Sequence, residues 1–326
     1  MTAAGSAPLV GVDLGGTLVR AAVATGEASH AEPVRHPTPH AAPPDAVLDA
    51  IAAAVREATG AATPAGVAIG IPGPLDPVAG VVHAAPNLHG WSELPVQRLL
   101  EQRLDCPVAI ENDAHLAGFA EWVAGAGRGS RDMIFVTVST GVGGGLVLDG
   151  ELFSGFAGTA GELGHTIYQP DGPPCGQGHR GCLEGTASGT AIARRARELL
   201  AAGEASSLAG LPADKLDARA VADAAADGDA LAISLYAEAG RALGLAIGGF
   251  VNMLSPEAVV VGGGLINAGE LLFAPLRRAL PEIAFAAPLA RCRVVAAALG
   301  TDAGLVGAVA WAVRRFRARA GAPAPG

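Results

Sequence analysis

Aromatic residues, cysteine and positive charge are all scarce in this sequence. These shortages make some classes of protein and of partner improbable. The 326 residues include 8 Phe, 3 Trp and 2 Tyr, while alanine and glycine abound, so helical periodicity alone is a weak guide. Four cysteines in so long a chain do not make a disulfide framework. The 22 Lys and Arg residues against 31 Asp and Glu give a formal net charge of −9, which disfavours nucleic acid and anionic membranes as partners.

Signals for membrane insertion, secretion and the common nucleotide loops are also missing. The best apolar candidate, residues 133–148, is interrupted by Ser, Thr and Gly, so no transmembrane helix is predicted. No basic residue precedes the first apolar stretch, so no signal peptide is expected and the protein is predicted to be cytoplasmic. Neither a Gly-x-x-x-x-Gly-Lys-Ser/Thr loop nor a Gly-x-Gly-x-x-Gly turn from strand to helix occurs, which excludes a P-loop and weakens a dinucleotide fold.

Two glycine-centred segments share one plan. Residues 9–24 and 133–150 are each an apolar run, a glycine turn and a second apolar run, which predicts a strand, a turn and a strand. They lie roughly 125 residues apart, about one domain length, which suggests a duplicated architecture. Two unrelated hairpins would give the same pattern.

Strands alternate with helices along the rest of the chain, which predicts an α/β protein. Helices are predicted at 45–59, 187–202, 217–228, 229–253 and 301–320. Strands followed by a turn, a polar corner or a glycine corner are predicted within 65–74, 106–125 and 257–270. The chain is longer than one ordinary domain, so two domains are expected.

The glycine turns are candidate phosphate-binding sites. A Gly-Gly-Thr turn after a strand directs several backbone N–H groups into one concavity, which suits phosphate oxygens. Asp13, just before the first turn, is placed to approach a phosphate-bound Mg²⁺ through water. Most such turns only reverse the chain, but two of them, together with the corner at 262–264, favour nucleotide binding.

The stretch ENDAH places Glu111, Asn112 and Asp113 where a strand passes into a helix. Asp113 suits the N-cap of that helix, which would be a purely structural role. A carboxylate at the end of a buried strand is also where α/β proteins carry out chemistry. Both interpretations of Asp113 stay open on the pattern alone.

A second group of polar residues follows the later hairpin. Glu162 and His165 are three apart and share a face if that segment is helical. His165, Cys175 and Cys182 are plausible zinc ligands, with His179, Gln177 or water as the fourth. An amide oxygen is a poor zinc ligand beside thiolates. Free buried cysteines are the alternative.

Taken in order, several stretches resemble the signatures of the ROK family (repressors, open reading frames and sugar kinases). They are GVDLGGTLVRAAV, GIPGPLDPVAGVVHAAPNLHGW, ENDAHLAGFAEW, STGVGGGLVLDGELFSGFAGTAGELGHT, CGQGHRGCLEGTASG and VVVGGG. The resemblance spans about residues 9 to 310. It implies an α/β, actin-like (RNase H-like) ATPase fold of two domains with sugar and ATP in the cleft between them. The expected domains are 1–112 plus 301–326, and a larger one, 113–300, with the zinc loop and dimer helices.

The resemblance also implies a role for individual residues. Asp113 resembles the catalytic base that takes the proton from the 6-hydroxyl of the sugar. The implied sugar-binding residues are Gly73, Asn87, Asn112, Asp113, Glu162, His165 and Glu184. The implied nucleotide-binding residues are Asp13, Gly15, Gly16, Thr17, Thr140, Gly141, Gly263 and Gly264. The implied zinc ligands are His165, Cys175 and Cys182, with His179 as the candidate fourth.

Two positions depart from the family pattern. Members commonly carry Cys-x-Cys in the zinc loop, and here the second position is Gln177, which puts the zinc geometry in question. Leu18 stands where many members have a polar residue. Neither departure touches the implied sugar-binding residues.

The function expected from this resemblance is an ATP-dependent hexose 6-kinase that uses Mg²⁺, carries structural zinc and forms a homodimer. The lead substrate is a gluco-configured hexose, either glucose or an amino-glucose such as 3-amino-3-deoxyglucose. The alternatives are an N-acetylmannosamine or N-acetylglucosamine kinase and a non-catalytic sugar-sensing member. A repressor is disfavoured, because about 10 residues precede the first phosphate turn and leave no room for a helix-turn-helix domain.

Overall fold

The structure, a computed structural model, describes residues 7–85 and 87–318. The strands are β1 (Leu9–Leu14), β2 (Leu18–Val23), β3 (Val34–Pro37), β4 (Gly66–Ile71), β5 (Leu75–Asp76), β6 (Val81–Ala84), β7 (Ser92–Leu94), β8 (Val108–Asn112), β9 (Met133–Val138), β10 (Val142–Leu148), β11 (Glu151–Leu152), β12 (Ala258–Gly262) and β13 (Arg293–Ala296). The helices are α1 (Pro44–Thr59), α2 (Val96–Leu104), α3 (Asp113–Val123), α4 (Glu184–Ala187), α5 (Gly189–Ala201), α6 (Ala218–Ala226), α7 (Ala230–Leu254), α8 (Glu270–Ile283), α9 (Ala286–Leu289) and α10 (Ala303–Phe316).

The two glycine-centred segments form the hairpins that their pattern predicts, and the sheets around them share one topology. The first sheet has the order β3-β2-β1-β4-β8 and the second has the order β11-β10-β9-β12-β13. In the first, β1 pairs antiparallel with β2 and parallel with β4. In the second, β12 pairs parallel with both β9 and β13. The same order of strands occurs twice, as expected for a duplicated α/β architecture.

By the density of its contacts the chain forms two compact units. The first consists of residues 1–129, 145–161 and 298–326, and the second of 130–144 and 162–297. The division falls within β10, so that strand contributes residues to both units. The predicted domains, 1–112 plus 301–326 and 113–300, stay our proposal for the domain organisation.

The first unit packs helices on both faces of its sheet, because side chains alternate along each strand. Val67, Ile69 and Ile71 of β4 point into a core shared with α1 and α2. Ala68, between them, faces α10 instead, where it packs with Phe316. Large side chains therefore fill one face, and small ones let α10 lie close to the other.

The helix predicted at 229–253 is present as α7. Helix α7 is long and apolar enough to cross a membrane by length and composition, but 56% of its most apolar window is buried inside the protein. It packs against α8 of the second unit, and Tyr236 on α7 is 2% exposed. It is thus a better candidate for an apolar span than residues 133–148, and its burial is that of a core helix.

Several short elements were not predicted. The strands β5, β6 and β7 form a small antiparallel sheet. A 3₁₀ turn, Ser207–Gly210, lies between α5 and α6. Directly after the glycine corner the chain forms a 3₁₀ turn, Gly264–Ala268, and α8 begins at Glu270. Strands of two to four residues, such as β5, β6 and β7, are too short to show the alternation that a sequence pattern requires.

A buried carboxylate ties α3 to the segment that leads into α10. Glu121 is fully buried, and its oxygens accept hydrogen bonds from the backbone N–H groups of Ala126 (2.8 Å), Ala298 (3.0 Å) and Leu299 (2.7 Å). Three donors around one carboxylate compensate for the burial of its charge.

We expect Glu121→Gln to lower the free energy of unfolding by about 3 kcal/mol, because an amide nitrogen cannot accept from these donors and leaves buried N–H groups unpaired. Denaturant titration measures the loss. The control is Glu204→Gln on the surface, for which no more than about 0.5 kcal/mol is expected. Equal losses in both variants would contradict the anchoring role of Glu121.

Candidate active site

The end of β8 and the start of α3 are joined by Asn112. Its Oδ1 accepts hydrogen bonds from the N–H groups of Ala114 (2.9 Å) and His115 (3.2 Å), which makes it the N-cap of α3. Its Nδ2 donates to the carbonyl oxygen of Gly73 at 3.1 Å. The structural role considered for Asp113 thus belongs to Asn112, because Asn112 has the extended backbone that a cap requires.

The backbone conformation and close packing at position 73 require glycine. Its φ is +97°, and a Cβ there would come within 2.2 Å of the carbonyl oxygen of Ala84. Only glycine adopts this conformation at low cost. The carbonyl that holds Asn112 is thereby fixed at the end of β8.

Asp113 is the first residue of α3 and is half-buried. Burial raises the pKa of its carboxyl to about 6, and the charge of Asp13 adds to the rise. The hydrogen bond from the Ala114 N–H, 2.8 Å from Oδ1, and the charge of His115 act in the opposite direction. A carboxylate with a pKa near 6 is suited to accept a proton at neutral pH.

Asp13, at the end of β1, has a partner that sequence analysis missed. The Arg20 side chain on β2 donates from Nε (3.0 Å) and Nη2 (2.7 Å) to Oδ2 of Asp13. The same guanidinium donates to the carbonyl oxygen of Thr301. Antiparallel pairing places Asp13 opposite Arg20, which is the signal that would have revealed the pair. One oxygen of Asp13 is therefore engaged, while Oδ1 lies beside Gly304.

The first glycine turn is tight and anchored. The Gly15 N–H donates to the carbonyl oxygen of Leu18 at 2.9 Å, and the buried Thr38 donates from its hydroxyl to the carbonyl oxygen of Gly15 at 2.7 Å. Gly16 and Thr17 at its tip are exposed. Asn87, also exposed, lies about 4 Å from the position of a Cβ on Gly16. Exposed backbone on a fixed turn is what a phosphate site requires.

The second glycine turn, residues 139–141, lies in the second unit and is fixed by hydrogen bonds to its backbone. The Ser139 N–H donates to the carbonyl oxygen of Gly141 at 2.9 Å. The Thr190 hydroxyl donates to the carbonyl oxygen of Thr140 at 2.8 Å. The Glu184 carboxylate accepts from the N–H of Val142 at 3.1 Å, so this implied sugar ligand lies against the turn.

A large cavity opens beside this turn within the second unit. Its volume is about 860 Å³, which is ample for a nucleotide. Thr140 and Gly264, two of the implied nucleotide-binding residues, line it. Gly263 has a φ of +87°, and a Cβ there would come within 2.4 Å of the carbonyl oxygen of Val138. The corner therefore needs glycine to bring Gly264 to the cavity.

Several cavity-lining residues were not predicted. They are Arg197, Asp217, Arg219, Asp223 and Asn267, with small side chains such as Ala193, Ala218 and Ala222 between them. Apart from Asn267, they lie on α5 and α6 or just before α6, where alanine-rich sequence gives no chemical signal.

Glu162 and His165 lie at the two ends of one helical turn. The turn is the 3₁₀ segment Leu163–His165, and the His165 N–H donates to the carbonyl oxygen of Glu162 at 3.1 Å. Glu162 is exposed and His165 is half-buried. The two side chains therefore follow one another on a short turn, as the spacing suggested.

His165 also belongs to a cluster of metal-ligand types. Ligand atoms of His165, Cys175 and His179 all lie within 4.8 Å of one another. The Cys175 N–H donates to the carbonyl oxygen of His179 at 2.8 Å, so a tight turn brings these two side chains together. Gln177, at the tip of that turn, is exposed.

Cys182 is fully buried and interacts with Cys175. Burial raises the pKa of the Cys182 thiol, and the neighbouring Cys175 adds to the effect. Two adjacent thiols resist ionisation unless a cation is bound beside them. His165, Cys175 and His179 are ligand types that suit zinc, and Cys182, which lies outside their group but interacts with Cys175, is the candidate fourth ligand.

The chain is similar to proteins of known family and activity. A profile of the ROK family matches residues 9–315. The glucokinase of Thermotoga maritima is 37% identical over 303 residues, which are 92% of this chain and 95% of that protein. A ROK family glucokinase from Streptomyces griseus, solved in complex with glucose and AMPPNP, superposes with a TM-score of 0.79 at 35% identity and covers 94% of this chain and 99% of that one. The N-acetylmannosamine kinase of Citrobacter koseri is 39% identical over 222 residues, 68% of this chain and 70% of that protein.

The repeated sheet topology, the two glycine turns and the match to solved kinases define an actin-like ATPase fold. Within that fold the chain belongs to the ROK family. It is a sugar kinase, a phosphotransferase that uses ATP and a hexose.

Asp113 leads to a prediction about pH. If it is the base, kcat/KM is constant above pH 6 and falls about tenfold per unit below it, because only the carboxylate accepts the proton and its pKa is raised to about 6. A pH–rate profile from pH 4.5 to 8.5 tests this. An acidic limb near pH 4, the ordinary value for aspartate at about 3.9, would contradict the assignment.

Proposed function

We propose that this protein phosphorylates the 6-hydroxyl of a gluco-configured hexose, with glucose as the lead substrate. The proposal depends on the position of Asp113 at the start of α3 and on the raised pKa of its carboxyl. Asn112 takes over the capping of α3, which leaves the Asp113 carboxylate available, and burial raises its pKa to about 6. The similarity to two glucokinases supports the choice of sugar.

The reaction needs a base, a positioned hydroxyl and neutralised phosphate charge. In our proposal Asp113 accepts the proton of the 6-hydroxyl as its oxygen attacks the γ-phosphorus of ATP. The bond between that phosphorus and the bridging oxygen to the β-phosphate breaks, and ADP leaves with that oxygen. The half-buried position of Asp113 limits the competition of water for the same base.

Sugar hydroxyls need donors and acceptors in fixed positions. We assign this role to Asn112, Glu162, His165 and Glu184, with Gly73 and Asn87 on loops of the same site. His165 has one ring nitrogen, Nδ1, 3.8 Å from Cys175 Sγ, so Nε2 is the nitrogen left for a hydroxyl. Glu184 is held in place by the Val142 N–H.

ATP is assigned to the glycine turns and to the cavity of the second unit. The phosphate-binding residues are Gly15, Gly16, Thr17, Thr140 and Gly141, and Gly263 and Gly264 form the nucleotide corner. Mg²⁺, when bound with ATP, supplies charge neutralisation, and we place Asp13 near it through water. The Arg20 guanidinium holds Oδ2 of Asp13 and thereby leaves Oδ1 for that contact.

Amino sugars are the closest alternatives. Glu162 is exposed, and its carboxylate suits a hydroxyl or an ammonium group, as in 3-amino-3-deoxyglucose. The similarity to an N-acetylmannosamine kinase keeps N-acetylmannosamine and N-acetylglucosamine as candidates. A non-catalytic sugar sensor is disfavoured, because Asp113 and both glycine turns are retained.

We further propose one structural zinc, held by His165, Cys175, His179 and Cys182. In this proposal His179 replaces the cysteine ligand that the family has at the position of Gln177. The His179 imidazole lies beside the His165 imidazole and close to Cys175. The zinc would hold the wall of the sugar site, because Glu184 follows Cys182 by two residues. A homodimer and a cytoplasmic location are proposed from the family resemblance.

Substrate choice is tested by measuring ADP release with Mg-ATP over a panel of hexoses, amino-hexoses and N-acetyl-hexosamines. We expect glucose to give the largest kcat/KM and Asp113→Asn to lower kcat by about 1,000-fold or more, since the base contributes about 10²–10⁴-fold.

The matched control is Asp76→Asn, a half-buried carboxylate of the same unit that accepts from the N–H groups of its own turn. It should leave kcat within about twofold of the native value. Turnover by Asp113→Asn equal to that of the native protein would remove Asp113 as the base. A preference for an N-acetyl-hexosamine would overturn the choice of glucose.

The zinc site has its own test. We expect one zinc per chain by elemental analysis, and His179→Ala to weaken zinc binding about 100-fold, at least as much as the loss of an outer-shell partner costs. Gln177→Ala, at the exposed tip of the same turn, is the control and should leave affinity unchanged. Equal affinities for native and His179→Ala proteins would show that His179 is not a ligand.

A further inference from the structure

Two buried ionisable side chains beside Asp113 have no part in the mechanism above. Glu111 is 2% exposed and His115 is 4% exposed. Oε1 of Glu111 lies 2.9 Å from Nδ1 of His115. A carboxylate and an imidazole buried this deeply stay together, because either one left alone would be an uncompensated polar group.

Glu111 and His115 flank Asp113 in the sequence, and their contacts hold the residues on either side of it. Oε1 of Glu111 also accepts the N–H of Asn112 at 2.9 Å, so one oxygen contacts the residue before Asp113 and the side chain two residues after it. The second oxygen, Oε2, accepts from the Ser154 hydroxyl at 3.2 Å. Both carboxylate oxygens are thus engaged, and Glu111 links the end of β8 to the first turn of α3.

The backbone of β10 also packs against the first turn of α3. Gly145 on β10 lies so near that a Cβ there would come within 3.2 Å of the carbonyl oxygen of Ala114 and of the His115 Cα. The backbone of α3 at Ala114 and His115 therefore lies close against β10. The charge of His115 also acts on Asp113, where it lowers the pKa against the effects of burial and of Asp13.

We propose that Glu111 and His115 are positioning residues for phosphoryl transfer. The pair holds the first turn of α3 and keeps a positive charge beside Asp113, so that the base is ionised at neutral pH. This proposal rests on the proposed function of Asp113 and adds to it a reason for the ENDAH sequence. The charged and titratable groups facing this region are Asp13 from β1, Arg20 from β2 through Asp13, Glu111 from β8, and Asp113 and His115 from α3.

The test follows the titration of Asp113 directly, so that it does not depend on activity. Protein labelled with ¹³C at the aspartate carboxyl carbons is titrated by NMR, and the Asp113 signal is assigned by its loss in Asp113→Asn. In His115→Gln and in Glu111→Gln we expect the pKa of Asp113 to rise by about one unit, because the nearby positive charge is removed or loses its partner. In the double variant we expect no further rise, since the two residues act as one unit.

Kinetics give the second readout. The acidic limb of kcat/KM should move to higher pH by the same amount in each variant, while KM for sugar and for ATP stays within about twofold, because neither side chain is assigned to a substrate. His115→Asn is the second variant if the glutamine one does not fold. The control is His36→Gln, which breaks a pair of equal length (2.9 Å) between His36 and Glu57 on the surface.

The outcomes separate the two proposals. An unchanged Asp113 titration in folded His115 variants overturns the positioning role, even if those variants are less stable. Absence of turnover on every sugar, with the shift in Asp113 present, overturns the kinase assignment and leaves the pair as a determinant of Asp113 ionisation. A shift of equal size in His36→Gln would show that the effect is not local and would also overturn the proposal.

Discussion

The capping of α3 by Asn112 is the interaction on which the candidate site depends. Its amide accepts from two N–H groups of the helix and donates to the Gly73 carbonyl, so one side chain joins the end of a buried strand, the start of a helix and a loop. Because Asn112 performs this task, the next residue begins the helix without having to cap it. The backbone geometry thereby fixes the position of Asp113, and its carboxylate is not needed as the helix cap.

Burial then determines what that carboxylate can do. An aspartate in water is ionised well below neutral pH and is a weak base. Partial burial and the charge of Asp13 bring the pKa of Asp113 to about 6, and the hydrogen bond from Ala114 together with the charge of His115 keeps it from rising further. Opposed effects of this kind are typical of catalytic carboxylates.

Local signals in the sequence predicted much of the fold and many members of the candidate site. The strand–turn–strand segments, the helices and the glycine corner at 262–264 depend on neighbouring residues, so a pattern reveals them. The capping residue was misjudged, because Asn112 and Asp113 are both good caps and only the backbone angles distinguish them. Contacts between distant residues left no pattern: Asn112 with Gly73, Glu111 with Ser154, and Glu121 with Ala298. The cavity-lining side chains of α6 were missed for the same reason.

A crystal structure of the protein with glucose and a non-hydrolysable ATP analogue tests the central claim most directly. The account predicts a carboxylate oxygen of Asp113 within hydrogen-bond reach of the sugar O6, at about 2.6–3.2 Å, with Asn112 still capping α3. A sugar bound with its O6 away from Asp113, whose carboxylate then contacts only the Ala114 backbone, would contradict the account.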